Sequence, residues 1–343
     1  MKAWRDRDRG RERDDAKLAA IAAAGIDLDP PPRGHDHDDG RPHDHAHPHE
    51  HSLPGEPPLI GIVGAGSVGS ALGVALTRAG WPIAAVASRD AVRRERFKEL
   101  VGGTRAFVEV TPLLDEVELI ILAVPDDAIR SVAEGIRLYS GQALIHTSGA
   151  LGAEVLEPAM AAGTQIGSFH PLVAFADIER AVAALHGATV AVEGDDQLVA
   201  LLDDMAGAIG ATAVRLAPGS KAAYHAAAVL AAGGFVALLD AIAELGRVAG
   251  LDEAGSLTIY GPLIEQTLGN ARALGIRAAL TGPLTRGDVG TLEAHLATLA
   301  RDAPAVLPLY RAAAEREIAL AEDRGALTPD VSGRLRTALA NTP

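Results

Sequence analysis

The chain has 343 residues, of which 48% are hydrophobic and only 3% aromatic, so we expect two domains whose cores are mainly aliphatic. It contains no cysteine, which excludes disulfides, thiolate catalysis and cysteine-bound iron–sulfur clusters and favours a cytoplasmic location. The formal net charge of −14 argues against nucleic acid or an anionic membrane surface as a partner.

Residues 1–57 are expected to form a disordered, charged tail, because their apolar content is too low to bury a core. A short helical pattern covers only residues 15–24. The tail holds seven of the twelve histidines: His35, His37, His43, His45, His47, His49 and His51. Imidazole binds Zn²⁺ and Ni²⁺, so the candidate ligands of a loosely held metal ion are His43, His45, His47 and His49. The alternative is a low-complexity tail with adventitious metal affinity, and no metal site is predicted in the folded domains.

A glycine-rich turn opens the first folded domain, predicted over residues 58–217. Residues 59–63 read as a buried strand, GAGSVG follows at 64–69, and residues 70–76 read as a helix. The first glycine permits the turn, the second lets phosphates approach bare N–H groups, and the third lets helix pack on strand. The predicted dinucleotide contacts here are Gly64, Gly66, Ser67, Val68 and Gly69. The alternative is a glycine-rich turn that binds no nucleotide.

The next predicted strand, residues 83–87, ends in Ser88, Arg89 and Asp90. An NAD site usually has an acidic residue here, whereas Ser88 and Arg89 suit the 2′-phosphate of NADP. The sequence therefore favours NADP over NAD as cofactor, with Asp90 as the argument for NAD. The alternative is that the nearby arginines are merely solvated.

Further strands are predicted over residues 105–108, 118–124, 143–147, 165–169 and 189–192, with helices over 93–100 and 128–136. This alternation predicts right-handed crossovers and a doubly wound α/β Rossmann domain. Ligands of such sheets bind beyond the carboxyl ends of the strands. The candidates there are Val124, Pro125, Thr147, Ser148 and His170. The hydroxyls have an alternative role as helix caps, and His170 as a structural histidine.

From residue 218 to 335 only helices are predicted, over residues 221–250, 255–274, 290–301 and 305–323. This second domain is expected to bind substrate and to dimerise. Its most apolar stretch, residues 226–239, is too short to span a bilayer and contains Gly233 and Gly234. We expect a fully buried helix, placed at a homodimer interface, and no membrane contact.

Polar side chains at the start of this apolar helix are candidates for catalysis. Lys221 and His225 are four residues apart and share one helix face, with Tyr224 beside it. Either cation could protonate the product of hydride transfer to a C=O or C=N bond. The alternative is an exposed, solvated first turn. Further along, Arg286 could clamp a carboxylate, and Asp288 could cap a helix or orient a cation.

Three segments behind GAGSVG carry a family resemblance: FHPL at 169–172, KAAYHAAAVLA at 221–231 and GPLTRGD at 282–288. Together they resemble Rossmann-like proteins with a domain of unknown function 2520, over roughly residues 57–335. The chain is more distantly similar to ketopantoate reductases, pyrroline-5-carboxylate reductases and 3-hydroxyisobutyrate dehydrogenases. The resemblance implies that Lys221 is the proton donor and that the protein is a homodimer. His225 and Gly233–Gly234 replace asparagines of the relatives, which leaves the substrate open.

The resulting expectation is a cytoplasmic NADP-dependent oxidoreductase that reduces a small 2-oxo acid resembling ketopantoate. Lys221 would protonate the oxygen, with His225 as a relay and His170 close by. Substrate contacts would come from Ser148, His170, Tyr224, Arg286 and Asp288, with Arg286 holding the carboxylate. The alternatives are an imine reductase of the pyrroline-5-carboxylate type and an NADP-binding sensor or scaffold without turnover.

Overall fold

The computed structural model describes residues 56–217 and 219–341. The helical pattern at residues 15–24 and the candidate metal ligands of the tail lie outside the described residues. Within the described ranges, no group of three or more histidine, aspartate or glutamate side chains is placed to hold a metal ion.

An eight-stranded sheet organises the part of the chain that precedes residue 217. Its strands are β1 (Ile60–Val63), β2 (Ile83–Ala87), β3 (Arg105–Phe107), β4 (Leu119–Leu122), β5 (Ala143–His146), β6 (Gln165–Pro171), β7 (Thr189–Glu193) and β8 (Thr212–Arg215). The strand order is β3-β2-β1-β4-β5-β6-β7-β8, and neighbours run parallel except at the antiparallel β6–β7 pair. The first six strands therefore have the doubly wound order of a Rossmann sheet.

Helices cover both faces of this sheet. They are α1 (Ser67–Arg78), α2 (Ala91–Val101), α3 (Thr111–Leu114), α4 (Asp126–Glu134), α5 (Ile178–Leu185) and α6 (Asp196–Ala208). Alternate residues of β4 belong to opposite cores: Leu119 and Ile121 pack with Leu72, whereas Ile120 and Leu122 pack on the other face. A strand buried on both faces must be apolar at every position, which explains why β4 could be predicted from the sequence.

The remaining described chain is helical. Its helices are α7 (Lys221–Val229), α8 (Phe235–Val248), α9 (Glu253–Leu274), α10 (Ile276–Ala279), α11 (Val289–Asp302), α12 (Leu307–Asp323) and α13 (Pro329–Asn341). Leu292 and Leu296 of α11 pack with Ile318 of α12 and Leu335 of α13 in a separate core. The predicted fold class, a doubly wound Rossmann domain followed by an all-helical region, is confirmed.

The sequence interpretation missed strand β8 and the helices α3, α5, α6, α10 and α13, of which β8 and α13 lie at the margins of the layers. The last strand predicted from the sequence covers residues 189–192, but the sheet does not end there, because β8 adds an edge strand whose side chains are largely exposed. Helix α13 was also missed, since only Ser332, Leu335, Ala338 and Leu339 of its residues are buried. Both elements lack the continuous or periodic apolar pattern that makes an element visible in a sequence.

The predicted buried helix over residues 226–239 differs most from the structure. Helix α7, a π-helical turn (Leu230–Gly234) and α8 form one continuous helix, and Leu230 is 72% and Val236 64% exposed. The expectation of full burial is therefore wrong for this chain, which buries the helix at Lys221 and again near Ala241. The continuous helix has 28 residues and contains an 18-residue stretch with a mean hydropathy of 2.1, so it exceeds the predicted stretch and is long and apolar enough to cross a membrane.

Candidate active site

A cleft of about 960 Å³ follows the carboxyl ends of the parallel strands. Its walls come from the turns after β1, β2, β3, β4 and β5, from the end of β6, and from α7 of the helical region. A doubly wound sheet places its ligand site at this edge. The cleft therefore brings together residues that are far apart in the chain.

The glycine turn after β1 is shaped for a phosphate group. Gly64 has φ +106°, and a Cβ there would overlap the carbonyl of Ala123. Gly66 has open space where a Cβ would stand, and no side chain caps the start of α1. A Cβ on Gly69 would overlap the carbonyl of Gly64. The three positions thus provide the turn, the open approach to backbone N–H groups and the helix packing that a dinucleotide needs.

The turn after β2 leaves one arginine available at the cleft. Asp90 accepts a hydrogen bond from the backbone N–H of Arg93 at 3.1 Å and pairs with its side chain at 3.3 Å, so it caps α2. The Arg94 side chain donates to the carbonyl of Ser88. Arg89 lines the cleft and forms no ion pair with another described residue. This arrangement suits a 2′-phosphate better than a ribose hydroxyl.

Ser148 joins the turns that follow β4 and β5. Its hydroxyl donates to Asp126 Oδ2 at 2.8 Å and accepts from the N–H groups of Ala150 and Leu151 at 3.2 and 3.1 Å. The hydroxyl therefore caps the turn, and Ser148 also lines the cleft. The sequence analysis had given capping and ligand contact as alternative roles. Val124, Pro125 and Thr147 also line this stretch.

His146 at the end of β5 holds this turn through hydrogen bonds of its ring. It is fully buried; its Nδ1 accepts from the N–H of Ser148 at 3.2 Å, and its Nε2 lies 3.1 Å from the carbonyl oxygen of Gly152. Burial, with the charge of Lys221, lowers the pKa of His146 to about 4, so the ring is neutral at neutral pH. This neutral ring holds the turn in place.

Three aromatic side chains meet at the β6 end of the cleft, and we call them the histidine–tyrosine cluster: His170, Tyr224 and His225. The His170 ring lies 5.6 Å from that of His225 and 5.7 Å from that of Tyr224, both edge to face. A Cβ on Gly149 would overlap both histidine rings, so only glycine fits beside them.

The cluster has polar atoms without partners. The Nδ1 atoms of His170 and His225 and the Tyr224 hydroxyl are buried and form no hydrogen bond with any described residue. Buried polar groups are normally hydrogen-bonded, so three together indicate a place where a polar ligand binds. Burial, together with the charges of His225 and Lys221, lowers the pKa of His170 to about 4, and burial raises the pKa of Tyr224.

Lys221 lies outside the cleft wall in a buried group that we call the Lys221–Ser168–Glu193 triad. Lys221 is 5% exposed, and its Nζ donates to Ser168 Oγ at 2.6 Å and to Glu193 Oε2 at 2.8 Å. The Ser168 hydroxyl donates to the same carboxylate oxygen at 2.8 Å. Burial works against the charge of Glu193, but these hydrogen bonds outweigh it and hold its pKa below the usual value. Burial lowers the pKa of Lys221 against the pull of Glu193.

The predicted substrate contacts in the segment 282–288 do not reach the cleft in the described chain. Asp288 caps α11 by accepting from the N–H and hydroxyl of Thr291 at 3.0 and 2.6 Å. Arg286 is exposed at the end of a 3₁₀ turn, and neither residue lines the cleft. The carboxylate clamp by Arg286 and the substrate contact of Asp288 stay predictions.

Five residues of this site were absent from the predicted set: Asp126, His146, Gly149, Ser168 and Glu193. Glu193 had one sequence signal, because a lysine at the start of an apolar helix needs a counter-ion and Glu193 directly follows the predicted strand 189–192. Gly149 had no sequence signal, because glycine is needed there only to make room for the rings of His170 and His225, which come from distant elements.

The sheet order and the glycine turn together define a Rossmann-like protein with a helical C-terminal region, and residues 48–171 match the family model of a Rossmann-like domain. Residues 188–317 match the family model Domain of unknown function (DUF2520). The chain therefore carries a Rossmann-like domain followed by this domain of unknown function, and the resemblance found in its motifs is confirmed.

Solved structures with the same fold include several reductases. A protein from Bacteroides fragilis assigned as an NADP oxidoreductase is 23% identical over 76% of this chain and 98% of its own, with a TM-score of 0.64. The pyrroline-5-carboxylate reductase of Streptococcus pyogenes is 18% identical over 78% and 99%, with a TM-score of 0.56. An NADPH complex of a reductive aminase from Aspergillus terreus is 18% identical over 82% and 99%, with a TM-score of 0.60. At these identities the likeness establishes the fold. No curated protein matches the chain.

Proposed function

We propose that this protein is an NADP-dependent oxidoreductase that reduces a carbon–nitrogen double bond in a small molecule. The open glycine turn and the available Arg89 fit NADP better than NAD, and the structural neighbours include NADPH-dependent enzymes. NADPH, when bound, supplies the hydride. The residues expected to hold it are Gly64, Gly66, Ser67, Val68, Gly69, Ser88, Arg89, Val124, Pro125, Thr147 and Ser148.

The charge at the β4–β6 end of the cleft is the observation from which we choose a C=N bond over a C=O bond as the one reduced. Among the described residues that line this end, Asp126 is a carboxylate and none is lysine or arginine. The charge of Lys221 is opposed by Glu193 at 2.8 Å. A protonated imine is a cation and is attracted to Asp126, whereas the carboxylate of a 2-oxo acid would be repelled. The ketopantoate-like substrate that the sequence favoured has no partner there, so we favour the imine alternative.

A substrate panel tests this proposal with the full-length chain. NADPH consumption is followed with a cyclic imine (2-methyl-1-pyrroline), with 1-pyrroline-5-carboxylate and with ketopantoate, and NADH is run in parallel. We expect turnover of 2-methyl-1-pyrroline with NADPH, slower turnover of 1-pyrroline-5-carboxylate because Asp126 repels its carboxylate, and no turnover of ketopantoate. Turnover of ketopantoate alone would overturn the imine assignment. Tight NADPH binding without turnover of any substrate would favour the sensor or scaffold instead.

We propose further that the exposed apolar face of the helical region is covered by a second copy of the chain. Large apolar side chains project from adjacent helices, among them Leu230, Val236, Ile259 and Leu263. A continuous apolar surface of this kind marks an interaction site. The first turn of the long helix is fixed to the sheet by Lys221 and Glu193, which favours a partner chain over a bilayer as the cover. A homodimer would also suit the cytoplasmic location expected from the sequence.

A further inference from the structure

We infer that His225 gives the substrate its proton and that Lys221 is a positioning residue that fixes the helix carrying His225. The inference rests on the proposed imine reduction and assigns the roles of two residues in it. It reverses the expectation that the family resemblance gave for Lys221.

The surroundings of Lys221 leave it little freedom to act on a substrate. Its Nζ donates to Ser168 and Glu193 at 2.6 and 2.8 Å, and it does not line the cleft. If Lys221 gave up its proton, the Glu193 carboxylate would lose its counter-ion in a largely buried position. Removing one partner of a buried ion pair is strongly unfavourable, so the triad holds the lysine as a structural cation.

His225 occupies the position that a donor needs. It lies one turn after Lys221 on the same face of α7, and it lines the cleft. Its Nδ1 is buried without a partner among the described residues, and Gly149 leaves room for the ring. His170, with its lowered pKa, is a neutral neighbour and a poor acid at neutral pH. Because the triad anchors the first turn of α7, it also sets where the His225 ring lies.

The proposed step balances as follows. The imidazolium of His225 gives its proton to the imine nitrogen, whose lone pair forms the new N–H bond, and the ring becomes neutral. The resulting iminium cation is stabilised by Asp126 across the cleft. NADPH, when bound, would supply the hydride for the new C–H bond and become NADP⁺, while the C=N π pair becomes the lone pair of the amine. His225 regains its proton from solvent.

A substrate that already carries its charge separates the two roles. An N-methylated cyclic iminium ion needs no proton, whereas the matching neutral imine does. For His225→Gln we expect kcat for the imine to fall by roughly a hundredfold or more, as for a lost general acid, and kcat for the iminium ion to stay within a few-fold. His295→Gln is the matched control, because His295, like His225, packs edge to face against another ring but lies outside the cleft.

Lys221 is tested by removing its charge alone and then together with that of Glu193. Lys221→Met is expected to lower Tm and to reduce turnover of both substrates, because Glu193 is left unpaired. The Lys221→Met and Glu193→Gln double variant is expected to recover Tm and most of the turnover of both substrates. A proton donor could not be rescued in this way, since the double variant still lacks the ammonium group.

The inference is overturned if His225→Gln slows both substrates equally or neither, or if the double variant loses imine turnover alone. If the unaltered protein reduces neither substrate, the proposed function itself fails, and the inference with it.

Discussion

At the scale of single residues, the choice of cofactor depends on Arg89. Asp90 is bound to the start of α2, whereas Arg89 lines the cleft without an ion-pair partner among the described residues. A hydrogen bond to a charged group contributes about 1.5–3 kcal/mol, so Arg89→Ala should weaken NADPH binding roughly tenfold or more. Binding of NADH should hardly change, because NADH lacks the 2′-phosphate.

Fluorescence titration of both nucleotides with the full-length chain measures this difference. Arg96→Ala is the matched control, because Arg96 is an exposed arginine on α2 outside the cleft. An equal loss of NADPH and NADH affinity in Arg89→Ala would show that Arg89 supports the turn and does not read the 2′-phosphate.

The sequence predicts where such residues lie better than what they touch. Arg89, Ser148 and His170 follow or end strands, and strand ends are visible as the ends of apolar runs. The partners of Lys221 are different, since Ser168 and Glu193 lie 53 and 28 positions away in the chain. Their meeting depends on how the helical region packs against β6 and β7. No local pattern encodes that packing.

At the scale of secondary-structure elements, two glycines of one turn should have separate effects. A Cβ on Gly69 would overlap the carbonyl of Gly64 where α1 crosses β1, whereas a Cβ on Gly66 would stand in open space. Overpacking of this kind typically costs about 1–3 kcal/mol, so Gly69→Ala should lower Tm clearly. Gly66→Ala should fold with nearly unchanged Tm but bind NADPH more weakly, because its methyl group blocks the phosphate approach.

Thermal denaturation and NADPH titration of the two variants make the comparison, and each variant is the control for the other. A similar loss of Tm in both would mean that the turn, and not the helix crossing, sets the requirement for glycine.

The elements themselves differ in how well the sequence predicts them, for a physical reason. Strand β4 is covered on both faces by this chain, so its apolar run and its burial agree. The apolar run at residues 226–239 predicts a helix that needs cover, but it does not say which molecule provides the cover. Leu230 and Val236 remain exposed in the described chain, so the molecule that covers them must be sought in the assembly.

At the scale of the whole molecule, the apolar face of the long helix and α9 should hold two chains together. Leu230 is 72% and Leu263 59% exposed, and an unpaired charge buried at an interface is strongly unfavourable. The Leu230→Asp and Leu263→Asp double variant should therefore be a monomer when the unaltered chain is a dimer. Size-exclusion chromatography with light scattering gives the mass of each.

Val92→Asp is the matched control, because Val92 is 79% exposed on α2, outside the helical region, and should leave the dimer intact. Recovery of the unaltered chain in the membrane fraction, or as a monomer in solution, would contradict the proposed dimer. Loss of the dimer in Val92→Asp would instead place the interface on the Rossmann domain.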